Sequence, residues 1–125
     1  MADKISTSNA PTAIGPYSQA VKVGNLVFTS GQIPINPETG MVEAQGIAAQ
    51  TEQVMKNLDA VLRAAGTHMK NAVKTTCFLT DMADFSTFNE VYGRYFTEKP
   101  ARSCVAAKQL PKGVLCEVEV IAELI

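Results

Sequence analysis

Two stretches of helical periodicity and five of strand character, in the order β-β-α-β-α-β-β, predict an α+β domain of two layers. Each helical stretch has one apolar side, and the last strand alternates apolar and polar residues along its whole length. Elements of both kinds therefore have one side to bury, and stacking both helices on one face of a single sheet buries them together. The other face of the sheet then meets water or a neighbour, and the exposed edges of so small a sheet favour a neighbour. A chain of 125 residues suits one domain, residues 1–125, around one core.

In chain order, residues 1–14 are small and polar and read as a loosely held arm. Gly15-Pro16-Tyr17-Ser18-Gln19 is a turn leading into a strand over 20–23, Gly24-Asn25 is a two-residue hairpin signal, and residues 26–29 return. That strand stops at Ser30-Gly31-Gln32, where the glycine marks either a plain strand end or a place where another group comes close to the backbone. Pro34, Pro37 and Gly40 punctuate the loop that follows. Ile47, Thr51, Val54, Leu58, Val61, Leu62 and Ala65 then form one apolar face of a helix over 47–65, which Gly66 ends in the left-handed conformation. Val73 to Leu79 is a β-branched strand with Val73, Thr75, Cys77 and Leu79 on one side. Asp84 is placed to cap a second helix reaching about Phe96, with Phe85, Phe88, Val91 or Tyr92, and Tyr95 or Phe96 as its buried stripe. Pro100 forces extended backbone before a strand starting near Ala101, on which Arg102, Cys104 and Ala106 share a side. Leu110-Pro111-Lys112-Gly113 carries turn signals. Beyond it Cys116, Val118, Val120, Ala122 and Leu124 alternate with Glu117, Glu119, Ile121 and Glu123.

Composition narrows the chemistry. With 46% apolar and 18% charged residues the chain reads as globular, not disordered. A net charge of -1 with scattered basic residues supplies no footprint for nucleic acid, whose binding rests on neutralised phosphates. No apolar run reaches the roughly 18 residues of a membrane span and no signal-peptide core is present, so a cytoplasmic protein is expected. Cys77, Cys104 and Cys116 lack Cys-x-x-Cys spacing, which argues against a disulfide framework or a zinc site, and His68, the only histidine, rules out a His-rich metal centre. A Cys/His nucleophilic pair would need His68, which lies in a polar connection after Gly66; the thiols read instead as small core hydrophobes.

Arg102 and Glu117 stand on successive strands either side of a short connection, and a hairpin there would bring them close. A guanidinium grips a carboxylate through two parallel hydrogen bonds, and a nearby carboxylate can position or deprotonate water. Spacing alone leaves open that both are solvated surface residues.

Several motifs settle on one resemblance. Ala13-Ile14-Gly15-Pro16-Tyr17-Ser18-Gln19-Ala20, Thr29-Ser30-Gly31-Gln32-Ile33, Asn89-Glu90-Val91-Tyr92 and Pro100-Ala101-Arg102-Ser103-Cys104-Val105 resemble the RidA/YjgF family of reactive-intermediate deaminases, over nearly the whole chain. Leu110-Pro111-Lys112-Gly113 and Glu117-Val118-Glu119 complete the pattern; Cys116 departs from it, standing where the family usually has an aliphatic residue. The resemblance implies a chorismate-mutase-like fold assembled as a homotrimer, with a barrel-like centre and clefts between subunits. It implies hydrolysis of 2-imino acids, such as 2-iminopropanoate and 2-iminobutanoate, to 2-oxo acids and ammonia, the imines coming from pyridoxal-phosphate-dependent dehydratases. No cofactor is implied for the deaminase itself. By position, Arg102 would clamp the substrate carboxylate and Glu117 would hold and polarise the attacking water. The main chain at Ser30-Gly31 and Cys104 would hydrogen-bond substrate or water, Tyr17 would wall the cleft from a neighbouring subunit, and Asn89 would join the substrate-binding set. Proteins similar to this one have also been tied to regulation and to translation inhibition through RNA cleavage. The rival readings are therefore a 2-oxo acid sensor using the same Arg102 cleft, and an endoribonuclease.

Overall fold

The structure, a computed structural model, describes residues 2–124. Six strands make one sheet, β1 (Asp3–Ile5), β2 (Ala20–Val23), β3 (Leu26–Thr29), β4 (Ala72–Leu79), β5 (Ala101–Ala106) and β6 (Cys116–Glu123), in the spatial order β1-β2-β3-β6-β4-β5. Two helices, α1 (Gly46–Ala64) and α2 (Phe85–Tyr95), cover one face. The architecture is the predicted α+β, two-layer arrangement.

Sequence pattern places each layer. Val54, Met55, Leu58, Val61 and Leu62 of α1 are fully buried against Cys116, Val118 and Val120 of β6 and Cys77 and Leu79 of β4. At the end of α1 the Gly66 N–H donates to Arg63 O and the Thr67 N–H to Leu62 O, with Gly66 at φ +91°, the paired closure that a glycine at this position permits. Thr51 Oγ1 lies 3.7 Å from Cys116 Sγ, so the Cys116 departure falls in the packing between α1 and β6.

Four local expectations need correction. The N-terminal arm is not loose: β1 pairs with β2, and buried Gln19 donates through Nε2 to the carbonyls of Thr7, Ala10 and Pro11 while accepting from the Thr7 N–H. A bulge at Val73 lets Ala72 and Lys74 face consecutive β6 residues, which throws Val73 off the buried side and leaves Ala72 there with Thr75, Cys77 and Leu79. Asp84 holds the N-cap position of α2 but makes no side-chain capping bond; the capping bond formed here, Asp81 Oδ1 accepting from the Ala83 N–H at 2.9 Å, belongs to the short 3-10 turn at 82–84 that leads into the helix. Finally, β5 and β6 form no hairpin. After α2 crosses over, β5 lies parallel to β4 at the sheet edge, and β6 inserts between β3 and β4.

Candidate functional site

The absence of that hairpin decides where the site residues go. Arg102 is registered with Thr75, and Glu117 with Phe78, on the two sides of the same strand β4. Thr75 and Phe78 are three residues apart on a strand whose side chains alternate, so Arg102 lies on the helix face and Glu117 on the open face. The sequence-predicted residues thus fall into two groups.

The first group surrounds Glu117. A cleft of about 480 Å³ is lined by Tyr17, Ser30, Gly31 and Glu117, with Ile14, Ile33 and Pro111 among its apolar walls. Gln32 and Val118 exchange backbone hydrogen bonds of 2.8 and 3.2 Å, which lay Gly31 directly against the Glu117 side chain. A Cβ on Gly31 would overlap Glu117 Oε2 and sit 2.9 Å from its Cδ, so only glycine allows this approach. The close-approach reading of Gly31 is therefore the one the geometry supports. Ser30 is spent on the scaffold: its hydroxyl donates to Ser18 O at 2.5 Å and its N–H to Gln19 O at 2.9 Å. Tyr17 is among the residues lining this cleft within its own chain, with its hydroxyl accepting from the Ile14 N–H at 3.4 Å. Glu117 is half-buried, and burial first, then the Glu119 charge, raise its pKa above the ordinary carboxylate range.

The second group lies on the helix side of the β4–β5 edge. Arg102 Nη1 donates to Asn89 Oδ1 at 2.7 Å, and its guanidinium carbon stands 4.9 Å from the Tyr92 ring centre and 5.4 Å from that of Phe85. Cys104 is registered with Cys77, and burial raises its thiol pKa, with Arg102 only partly opposing. Burial pushes Cys77 up to about 12 and Cys116 up to about 11. None of the three is poised as a thiolate. His68 lines a separate surface hollow with Asp59, Arg63 and Lys70, where no thiol joins it. Among the described residues no group of three or more His, Cys, Asp or Glu is placed to share a metal ion.

Reading for motifs passed over the residues that shape the cleft. Gln19 carries the Pro11 wall through the hydrogen bonds given above. Buried Asn57 of α1 donates to Ile33 O and Ile35 O at 3.1 and 2.9 Å, and so holds the opposite wall. The signal was present, a carboxamide inside the apolar stripe of a helix, because such a group is stable there only when hydrogen-bonded.

Known proteins bear on this arrangement. Residues 7–124 match the family model described as Endoribonuclease L-PSP. An Escherichia coli protein named 2-iminobutanoate/2-iminopropanoate deaminase is 51% identical over 126 residues, covering 98% of each chain. A Lactococcus lactis relative, named as the candidate regulator AldR, is 50% identical over 96% of each. A Thermotoga maritima crystal structure, named as a candidate endoribonuclease, superposes with a TM-score of 0.95 at 52% identity over 98% of both chains.

Proposed function

The chain belongs to the endoribonuclease L-PSP family of RidA-type proteins, and on that premise we propose that it is an imine deaminase, hydrolysing 2-imino acids such as 2-iminopropanoate and 2-iminobutanoate to 2-oxo acids and ammonia. The observation that carries this reading is the Glu117 carboxylate, pressed against bare Gly31 in a half-enclosed cleft with its proton affinity raised. Such a carboxylate can accept a proton from water near neutral pH more readily than a fully solvated one. Water adds to the electrophilic C=N carbon while Glu117 takes one of its protons and passes it to the nitrogen, giving a carbinolamine. Glu117 then takes the hydroxyl proton and hands it to the same nitrogen, so that the C–N bond breaks and ammonia departs as the C=O bond forms. The main chain at Gly31 and Cys104 and the Tyr17 ring surround the substrate, and Arg102 clamps its carboxylate.

One chain holds Arg102 and Glu117 on opposite faces of its sheet, so the proposal requires Arg102, Asn89 and Cys104 of one subunit to close over the Glu117 cleft of the next. A homotrimer with clefts between subunits meets that requirement, and the exposed Phe28 and Val105 on the open face of the sheet favour burial against neighbours.

The test couples a purified threonine dehydratase, which releases the imine, to this protein, with semicarbazide trapping what is not consumed. Wild type should speed 2-oxo acid release and lower trapping. Arg102→Ala should lose about a hundredfold in rate, the scale of a charge-assisted clamp, and Arg102→Lys should restore little because a point charge lacks the fork. Equal rates for Arg102→Ala and wild type would remove the clamp. One relative is named as a regulator, which favours a second reading, regulation without turnover; saturable binding of a 2-oxo acid with no imine hydrolysis would select it.

A further inference from the structure

We infer that the aromatic face of α2, Phe85 and Tyr92 tied to the sheet through Thr75, is a positioning platform that fixes which edge of the Arg102 guanidinium meets a ligand carboxylate. The identity of that ligand rests on the deaminase reading above; the platform itself does not. Phe85, Asn89 and Tyr92 occur at intervals of four and three residues and so share one side of α2. Both rings lie within the ~6 Å at which a cation is held by an aromatic face, with the guanidinium carbon at 5.4 and 4.9 Å.

The platform is anchored as well as stacked. Tyr92 Oη and Thr75 Oγ1 share a hydrogen bond of 2.6 Å inside the core, where Thr75 is fully buried. Thr75 is also the β4 residue registered with Arg102. A closed circuit results: the Arg102 backbone is set by β4, β4 holds Tyr92, and Tyr92 holds the Arg102 side chain. Its ring leans on Phe88 and Phe96, with centres 5.7 and 4.6 Å away, so it has little room to tilt.

What the circuit leaves free is specific. Asn89 Oδ1 takes an Nη1 hydrogen at 2.7 Å. Among the described residues no acceptor takes the Nε–H or an Nη2–H, which form a parallel pair, the fork that a carboxylate accepts through both oxygens. Among the described residues no carboxylate stands within 4.0 Å of the Arg102 guanidinium. Its charge is held by a neutral amide and two π faces, which orient a cation without neutralising it. An arginine restrained this way has already given up the rotamer freedom that carboxylate binding would otherwise remove.

The test reads position and affinity separately. In the full-length protein, 15N relaxation of the Arg102 Nε–H should report a rigid side chain, made mobile by Phe85→Leu and by Asn89→Ala and kept rigid by Phe85→Tyr. The Kd for 2-oxobutanoate should rise roughly tenfold in Phe85→Leu, the scale of one lost cation–π contact, and return toward wild type in Phe85→Tyr. Thr75→Val, which cuts the anchor and leaves both rings, should loosen Arg102 if Phe85→Leu fails to fold. An Nε–H equally rigid in Phe85→Leu, Asn89→Ala and Thr75→Val overturns the platform, as does an unchanged Kd in Phe85→Leu. A wild type that neither binds 2-oxobutanoate nor turns over imine overturns the deaminase reading instead, and the relaxation data then decide the platform alone.

Discussion

At the scale of single residues, the contact between Gly31 and Glu117 is the most sensitive point in the molecule. Gly31→Ala puts a methyl where Glu117 Oε2 now lies. The carboxylate end is flexible, so the expected cost in stability is small, about 1 kcal/mol, at the low end for overpacking. The cost to imine turnover should be large, because the displaced group is the proposed base; a melting curve and the coupled assay read the two separately. Glu117→Gln should lower turnover by roughly 10²–10⁴, the range for general acid–base help, yet leave the fold as stable or more so at pH 7. The sign follows from the raised pKa, caused first by burial and then by Glu119. A carboxyl that holds its proton more tightly folded than unfolded costs no stability below the unfolded pKa, and its full cost is present above the folded pKa. The same shift places the acid limb of the pH–rate profile above that of a solvated glutamate. Glu119→Gln removes the like charge and should move that limb to lower pH. A limb that stays in place would separate Glu117 from the rate.

At the scale of elements, what could be read from the sequence divides by the range of the interactions involved. Helix α1 with its Gly66 stop, the β2–β3 hairpin at Gly24-Asn25 and the alternation of β6 are written in neighbouring residues, and the structure has them where periodicity and turn chemistry put them. Strand neighbours are not local: nothing in residues 101–123 states that β6 must lie between β3 and β4, and so the supposed Arg102–Glu117 hairpin failed. Tyr17, Ser30, Gly31 and Glu117 line one cleft, while Arg102, Asn89 and Cys104 gather elsewhere; the motifs name residues but not the face of the sheet each one occupies. The bulge at Val73 and the buried Gln19 escaped for the same reason, since each answers to a partner distant in sequence. Gln19 makes a test of this view. Gln19→Ala leaves the carbonyls of Thr7, Ala10 and Pro11 without their donor and should cost about 2 kcal/mol. Proteolysis should then begin within residues 2–12, and an arm no more sensitive than in wild type would mean that β1 pairing alone secures it.

At the scale of the whole molecule, the decisive fact is that one sheet separates the proposed clamp from the proposed base. If subunits share each site, two different inactive variants should repair one another. Arg102→Ala chains keep Glu117, and Glu117→Gln chains keep Arg102. Unfolded together in equal amounts and refolded, they would assort into mixed rings. An interface is intact only where the Glu117→Gln chain supplies the arginine and the Arg102→Ala chain supplies the glutamate. With random assortment around a closed ring that holds for about one interface in four. The mixture should therefore recover about a quarter of wild-type turnover, from two preparations that are each nearly inactive, and should sediment at three times the 13.4 kDa chain mass. A site built within one chain gives no recovery, because no chain in the mixture carries both residues. A trimer without recovery would keep the assembly and refute the shared site; recovery without a trimer would keep the shared site and change the symmetry that closes it.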